Sequence, residues 1–559
     1  MESSLNPQKR KRHLFFIKAL VAANALSIVF GILYFVTNAS HWMWNLYGVI
    51  LLMTLIGNMI ITLFKSKHTT LDYLYLFLTI VVMVIVPIMN RMVSTDVTNM
   101  TSRSPVTMFL IFTLLVFGGI IAILKWRYHR TSEGSAYHAH TKKLTYTKTV
   151  IKIGIIILLG IIIIIGVYFS YQLVIGKSRN LVELFGPQYA LFFSIIFLAI
   201  TALILKMYSY KNKPFVNFLV ILIGITVSVI LSLPLLTTPF TIHKAEFSYS
   251  EAFGEDPNNV IPIEEQRHFS DTPFSLPNYF FGTASDDYRV EQDILYYEGT
   301  TGVDEGILLH FDAYMPPDNQ DDLPGNHSVL IRIHGGGWTT GDKGASNSAQ
   351  VNKYFASQGY VVFDVQYGLS HEQKLFEFSK VPENVVGGFS IDDMVRHIGL
   401  FTDYLVEHCS DYEANLDSVF VSGGSAGGQL ANAVGLGLAS GQYDDLNPQL
   451  NVRGIIPIYP ANGLAPKVNV EGTNELTDPS LLVTEDSPPA LIYQGTHDGL
   501  VDQSVSVKFD QTYDEKGKSN SALILMPFAG HSSNSYFPGY YNQVFIYYME
   551  RFMYQFSAG

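Results

Sequence analysis

The stretch Val419-Phe420-Val421-Ser422-Gly423-Gly424-Ser425-Ala426-Gly427-Gly428-Gln429-Leu430-Ala431-Asn432-Ala433-Val434 decides the fold. Val419–Val421 reads as a strand, and Gln429–Val434 as a helix. Between them lies a G-x-S-x-G sequence centred on Ser425. A strand, a sharp glycine-flanked turn and a helix push a serine hydroxyl clear of its surroundings as a nucleophile. Gly423 and Gly427 suit a strained backbone that larger neighbours would crowd. Alone, the motif also fits an ordinary Gly-rich turn before a helix, so its company in the chain carries the reading.

Upstream, Val329-Leu330-Ile331-Arg332-Ile333 reads as a buried strand and runs into His334-Gly335-Gly336-Gly337-Trp338. Glycines at a strand end let backbone N–H groups face a pocket, where Gly335 and Gly336 can hold a developing oxyanion. The N–H of Ala426, directly after the serine, is the matching donor. Downstream, the strand Pro489–Gly495 ends in Thr496-His497-Asp498, and Asp498 comes directly off the strand's carboxyl end, where α/β sites collect. Asp502 is the alternative acid. The last strand, Ala522–Met526, leads to Ala529-Gly530-His531-Ser532. His531 is the preferred base because of that position; His497 and His334 compete with it. The order Ser425, Asp498, His531 is that of serine α/β-hydrolases.

From about Ile307 onward the chain resembles the carboxylesterase/acetylesterase branch of the hormone-sensitive-lipase-like α/β-hydrolases. The matching pieces are His334-Gly335-Gly336-Gly337-Trp338 with Gly341-Asp342-Lys343, the Gly-Ser-Ala-Gly-Gly turn at Ser425, Gly495-Thr496-His497-Asp498, and Gly530-His531. The resemblance implies ester hydrolysis through an acyl-enzyme, with no metal and no organic cofactor, and a small acyl group such as acetyl. One stretch departs from it. An Asp-Tyr-Arg-Leu-Ala-like segment of many relatives reads here Asp364-Val365-Gln366-Tyr367-Gly368-Leu369-Ser370, followed by an insertion-like segment from Lys374 to Val386. Substrate preferences therefore transfer poorly.

The first 240 residues are of another kind. Seven apolar stretches run roughly over Leu14–Val36, Trp44–Phe64, Leu71–Met89, Val106–Leu124, Ile153–Val174, Tyr189–Leu205 and Phe215–Leu235. Each is near the ~20 residues that cross ~30 Å of hydrocarbon. The first, behind Lys9-Arg10-Lys11-Arg12, resembles a signal sequence but is long and lacks a convincing cleavage site, which favours a retained helix. Alternate connecting segments carry fifteen Lys and Arg on one side and four on the other. This asymmetry puts the N-terminus in the cytoplasm and, after seven crossings, the hydrolase outside. Lys18, Asp72 and Lys152 lie near span ends, where interfacial placement suffices. Asn58 and Thr226 read as interhelical hydrogen-bonding groups.

Residues 1–240 hold 21 Lys and Arg against 5 Asp and Glu, and the rest 15 against 43. The acidic half argues against nucleic acid as a partner. The one cysteine, Cys409, excludes an internal disulfide and suits a bacterial protein better than a eukaryotic surface. The expected organisation is a multi-pass region over 1–240, a linker without clear periodicity over 241–288, and a mostly parallel sheet of about eight strands with covering helices over 289–559. The leading function is a membrane-anchored extracytoplasmic serine esterase acting on a carbohydrate or envelope ester. Transfer of an acyl group to a glycan, lipolysis of membrane lipids, and a binding-only sensor are the alternatives. Oligomeric state is not legible.

Overall fold

The computed structural model describes residues 7–37, 41–99, 103–131, 146–208, 214–283, 286–318, 322–344, 348–374, 379 and 381–557. Part of the Lys374–Val386 segment lies outside these residues. So do 132–145 and 209–213, which carry part of the charge count used for orientation.

The N-terminal part consists of α1 (Pro7–Thr37), α2 (Trp44–Thr62), α3 (Thr69–Thr95), α4 (Pro105–Thr131), α5 (Tyr146–Ile175), the one-turn α6 (Leu181–Phe185), α7 (Ala190–Met207), α8 (Pro214–Leu231) and α9 (Leu233–Phe253). Among the described residues seven helices are long and apolar enough to cross a membrane, α8 and α9 counting as one rod. The most enclosed is α7; α5 shows most of its isoleucines outward. An outward apolar face is what a bilayer solvates, whereas water would reject it.

Polar groups between the helices find partners. Asn58 and Asn24 exchange hydrogen bonds at 2.8 and 2.9 Å, an interhelical pair of the expected kind. Thr226 instead faces outward. Asp72 lies in the first turn of α3, near the span end as expected, but is enclosed there: it is 1% exposed, with Lys125 at 3.0 Å and Lys206 at 2.7 Å. Lys125 also donates to Phe64 O just beyond the end of α2. One acidic and two basic groups thus form a buried clamp across α3, α4 and α7.

The rod continues past residue 240. Thr241, Ala245 and Tyr249 recur every four residues, and this buried stripe of α9 lies against the hydrolase. Tyr249 OH donates to Gln555 Oε1 at 2.7 Å. The aperiodic reading of 241–253 is corrected by this stripe, which begins at the boundary drawn at 240. Beyond it, α10 (Leu276–Phe281) is buried on every side. Tyr279 stacks on Phe192 of α7, with ring centroids 4.7 Å apart, and on Tyr540, 5.4 Å away.

The C-terminal strands are β1 (Arg289–Glu298), β2 (Leu308–Met315), β3 (Ser328–Ile333), β4 (Val361–Val365), β5 (Leu369–Ser370), β6 (Val386–Gly387), β7 (Asn415–Gly424), β8 (Val452–Ile458), β9 (Ala490–Gly495) and β10 (Ser521–Met526). Eight form one sheet in the order β1-β2-β4-β3-β7-β8-β9-β10, while β5 and β6 make a separate two-stranded ribbon. The pairs β1–β2 and β2–β4 are antiparallel and the others parallel. Wholly buried β3, β4 and β9 explain their unbroken apolar runs. The C-terminal helices are α11 (Ser348–Ala356), α12 (Ile391–His408), α13 (Ala426–Ser440), α14 (Asn474–Thr477), α15 (Gln503–Glu515) and α16 (Tyr540–Ser557). Ser390 caps α12 in a capping box with Asp393. Helix α9 packs on β10, so the open edge of the sheet is covered by an extension of the α8–α9 rod. Parallel β-α units bring every following loop to one end of the sheet, and the candidate residues sit there.

Candidate active site

Ser425 stands between β7 and α13 with φ 59° and ψ −120°. That conformation costs a non-glycine residue about 1–3 kcal/mol and persists only where the surroundings fix it. Here Ser425 N donates to Ile458 O at 2.9 Å, while Ser425 O accepts from Gly428 N and Ala461 N. A Cβ on Gly427 would lie 2.2 Å from Ile333 O, so no larger residue fits the turn.

His531, on the loop after β10, places Nε2 2.9 Å from Ser425 Oγ and Nδ1 2.7 Å from Asp498 Oδ2. Asp498 follows β9 and is 1% exposed. Its Oδ1 accepts from Leu500 N and Val501 N, both at 2.9 Å, and Gln494 Nε2 lies 3.4 Å from Oδ2. The carboxylate is therefore oriented by its own loop, independently of the imidazole. Ser425, His531 and Asp498 are joined in one line across three loops.

The competing residues point elsewhere. Asp502 caps α15 and pairs with Lys177 at 2.6 Å. His497 turns Nδ1 to Thr496 Oγ1 (2.8 Å) and Nε2 to Val174 O (3.1 Å). His334 is buried with its ring stacked on Tyr367, 4.4 Å between centroids, and burial lowers its pKa. Its Nδ1 lies 3.0 Å from Gly335 O, within the glycine loop.

That loop lies beside the serine. A Cβ on Gly335 would come 3.3 Å from Ser425 Cβ and 2.5 Å from Gly424 O. Gly336 has φ +133°, open only to glycine, and Thr340 N closes the turn onto Gly336 O at 3.1 Å. The N–H groups of Gly335 and Gly336 bond to no other described residue. Ala426 opens α13, where the first N–H groups have no partner inside the helix. After Gly337, Trp338 locks the loop to α13 by donating to Gln429 Oε1 at 2.8 Å. Lys343 holds its far side through Asp312 at 2.8 Å. Asp364, in the segment that departs from the resemblance, is buried under Gly344 N and Asn352 Nδ2 and does not reach the line.

Three groups escaped the sequence reading. Gln494 ties β9 to the acid. Tyr459, whose ring is 4.4 Å from that of His531, donates to Asn534 Oδ1 at 2.7 Å. Glu183, from the membrane half, accepts from His531 N. For Glu183 the available signal was faint: it is one of five acidic residues in the first 240.

Comparison with known proteins matches this half. The BD-FAE family model matches residues 311–469, which include the glycine loop and Ser425 but end before Asp498. The Mycobacterium tuberculosis protein named Probable carboxylic ester hydrolase LipM is 23% identical over 269 residues. That alignment takes in 44% of this chain and spans only 57% of the relative's length. Thermogutta terrifontis esterase 2 phosphorylated by paraoxon is 21% identical, with TM-score 0.34 over 44% of this chain and 84% of that one. The butyrate-bound form of that esterase is 19% identical, with TM-score 0.36 over 47% and 91%. Strand order and the elbow at Ser425 give the C-terminal half of this chain an α/β-hydrolase fold, and the BD-FAE match falls within it.

Proposed function

We propose that the chain is a membrane-embedded serine esterase, with Ser425 as nucleophile, His531 as base and Asp498 as its orienting acid. The observation that carries this is the continuous hydrogen-bonded line from Asp498 Oδ2 through His531 to Ser425 Oγ. Ser425 Oγ attacks the acyl carbon and its proton passes to His531 Nε2. The carbonyl electron pair moves onto oxygen, facing Gly335, Gly336 and Ala426 N–H; one such donor is worth about 3–4 kcal/mol. Collapse breaks the bond to the alcohol, which leaves with the proton from His531. Water then attacks the acyl-serine, gives its proton to His531, and the acid departs as Ser425 regains its proton. Ester and water become acid and alcohol, and the chain's own residues suffice.

The preferred substrate is a small-acyl ester, acetyl foremost, on a carbohydrate or envelope molecule; the family resemblance supports this reading. Its place outside the cytoplasm is supported by docking. The hydrolase rests on the Arg91–Ser104 and Lys177–Pro187 connections, the side poor in Lys and Arg, for example where Lys353 Nζ donates to Asp96 O at 2.7 Å. The same docking favours a second reading, an ester carried by a lipid. The loop that bears His531 packs on the bundle, with Tyr536 OH and Asn90 Nδ2 3.0 Å apart.

The test compares full-length wild type and Ser425→Ala in detergent on p-nitrophenyl acetate, butyrate and decanoate. Acetate preference that vanishes in the variant supports the first reading. Rates rising with chain length support the lipid ester, and equal rates in both proteins end the esterase proposal. Labelling of Ser425 in intact cells by a membrane-impermeant fluorophosphonate is expected; labelling only after lysis refutes the orientation.

A further inference from the structure

The connection between α5 and α7 belongs to the membrane half by sequence, yet it ends on both catalytic loops. Lys177 N donates to His497 O at 3.0 Å, and Arg179 Nε to Gly499 O at 2.8 Å. Between them sits Glu183, 3% exposed. Its Oε1 accepts from His531 N at 3.1 Å and from Gly499 N at 3.2 Å, while Oε2 accepts from Arg179 N at 3.1 Å. One carboxylate oxygen therefore bridges the base itself and the residue directly after the acid.

Space is as tight as the bonding. A Cβ on Gly530, the residue before His531, would fall 2.2 Å from Glu183 O. One on Gly499 would fall 2.8 Å from both Glu183 Oε2 and Lys177 C. At both positions backbone stands in the way, and backbone cannot swing aside as a side chain can. The void left among Phe169, Glu183, His497 and Phe528 is about 10 Å³, hardly more than one water. Glu183 is itself held, because Asn180 Oδ1 caps α6 by accepting from Val182 N and Glu183 N, both at 3.0 Å.

The geometry has a consequence for the base. Asp498 and His531 leave different strands, β9 and β10, and their separation depends on how the two loops sit against each other. Accepting one N–H from each loop on a single oxygen fixes that separation from behind. Burial raises the Glu183 pKa, and the N–H groups of Gly499 and His531 hold it down; Asp498 pushes it up and His531 draws it down. Buried carboxylates survive where such hydrogen bonds replace water.

We infer that Glu183 is a positioning residue for the His531–Asp498 pair, supplied to the hydrolase site by the membrane half. It acts through the backbone and touches neither substrate nor Ser425. The role rests on the esterase reading above. It also gives the bundle a task that a single anchoring helix could not perform.

The experiment uses the full chain in detergent and p-nitrophenyl butyrate, with melting temperature recorded for each protein. Glu183→Ala is expected to lose kcat on the order of 10²-fold, the scale for a catalytic group displaced by ~1 Å, with KM within about twofold. Glu183→Gln keeps an oxygen for the two shared N–H groups and is expected to recover most of the loss. Lys177→Ala, which cuts only the exposed pair to Asp502 on the same interface, leaves kcat unchanged. Wild-type kcat in a folded Glu183→Ala chain overturns the inference, as does a loss confined to KM or an equal loss in Gln. If the Ala chain does not fold, Glu183→Asp decides: its carboxylate stops one methylene short, and wild-type kcat there overturns the role. A wild type no faster than Ser425→Ala overturns the esterase reading itself. An active wild type, a dead Ser425→Ala and an active Glu183→Ala overturn the positioning role alone.

Discussion

Asp498→Asn isolates how the acid acts. In the wild type, Oδ1 is committed to Leu500 N and Val501 N at 2.9 Å each, and Oδ2 faces His531 Nδ1 at 2.7 Å. An asparagine has one oxygen for these duties. If that oxygen stays with the two backbone donors, the NH2 group meets Nδ1. His531 must then carry its proton on Nε2, facing Ser425 Oγ, and cannot accept the serine proton. If the amide flips, the imidazole regains its acceptor but NH2 confronts two buried N–H groups. Each unsatisfied donor costs about 1–3 kcal/mol, so the productive orientation lies about 2–6 kcal/mol above the other. At about 1.4 kcal/mol per tenfold, that predicts a kcat lower by about 30-fold to 10⁴-fold, the upper end matching the loss of about 10⁴-fold that the same exchange causes in a serine-protease triad. The assay is steady-state hydrolysis of p-nitrophenyl butyrate by the full chain, with fluorophosphonate labelling rate as a second readout that needs the same base. Both should fall together while the melting temperature barely moves. A kcat within about threefold of wild type would refute this account of the hydrogen bonds.

Two further predictions concern stability. Burial pushes the Asp510 carboxyl up to about 6, with Asp514 and Glu251 of α9 adding to the rise and the Ser521 hydroxyl opposing it. The folded protein thus holds this proton more tightly than the unfolded chain, whose carboxyl titrates near 3.8. The resulting stabilisation is full below about pH 4 and is lost as pH rises through about 6. Asp510→Asn, which still accepts from Ser521, should gain about 1–2 kcal/mol over wild type at pH 8 and little at pH 4; an equal gain at both pH values contradicts the assignment. In the bundle, Asp72→Asn leaves Lys125 and Lys206 buried without their counter-charge and should cost about 3–5 kcal/mol in detergent unfolding. Unchanged stability would mean that water reaches the clamp.

Legibility followed locality. The elbow, the glycine loop and the eight sheet strands were readable because each rests on a few adjacent residues: a buried apolar run, then glycines where backbone meets backbone. Asp498 and Asp502 stand four residues apart with equal chemistry; position directly off the strand favoured Asp498, and the turn geometry sends it to His531 and Asp502 to Lys177. The two-residue strands β5 and β6 are too short to show a period. The Asp72 clamp was hidden for a different reason. Hydropathy places each ion near the end of its own helix, but their meeting depends on how α3, α4 and α7 pack. Glu183 lies 348 residues from the atom it holds, and no local pattern encodes a contact of that kind.

The bundle also does more than hold the hydrolase near a bilayer. An anchor needs one span, and its contacts with the catalytic unit are dispensable. Here α9 covers the edge strand β10, α10 is walled in by both halves, and Gln188, between α6 and α7, is bonded to Ser535 Oγ and Tyr536 N on the loop that follows His531. The bonds from Asn90, Gln188 and Glu183 converge on the segment that bears His531. A loop built this way is shaped by its neighbours more than by its own sequence. It has the glycine needed for Glu183 to approach, and a tyrosine, Tyr536, that is fully buried between Asn90 and α10. Small shifts of α3, or of the turn before α7, would therefore reach the loop that carries His531 through Asn90 and Gln188.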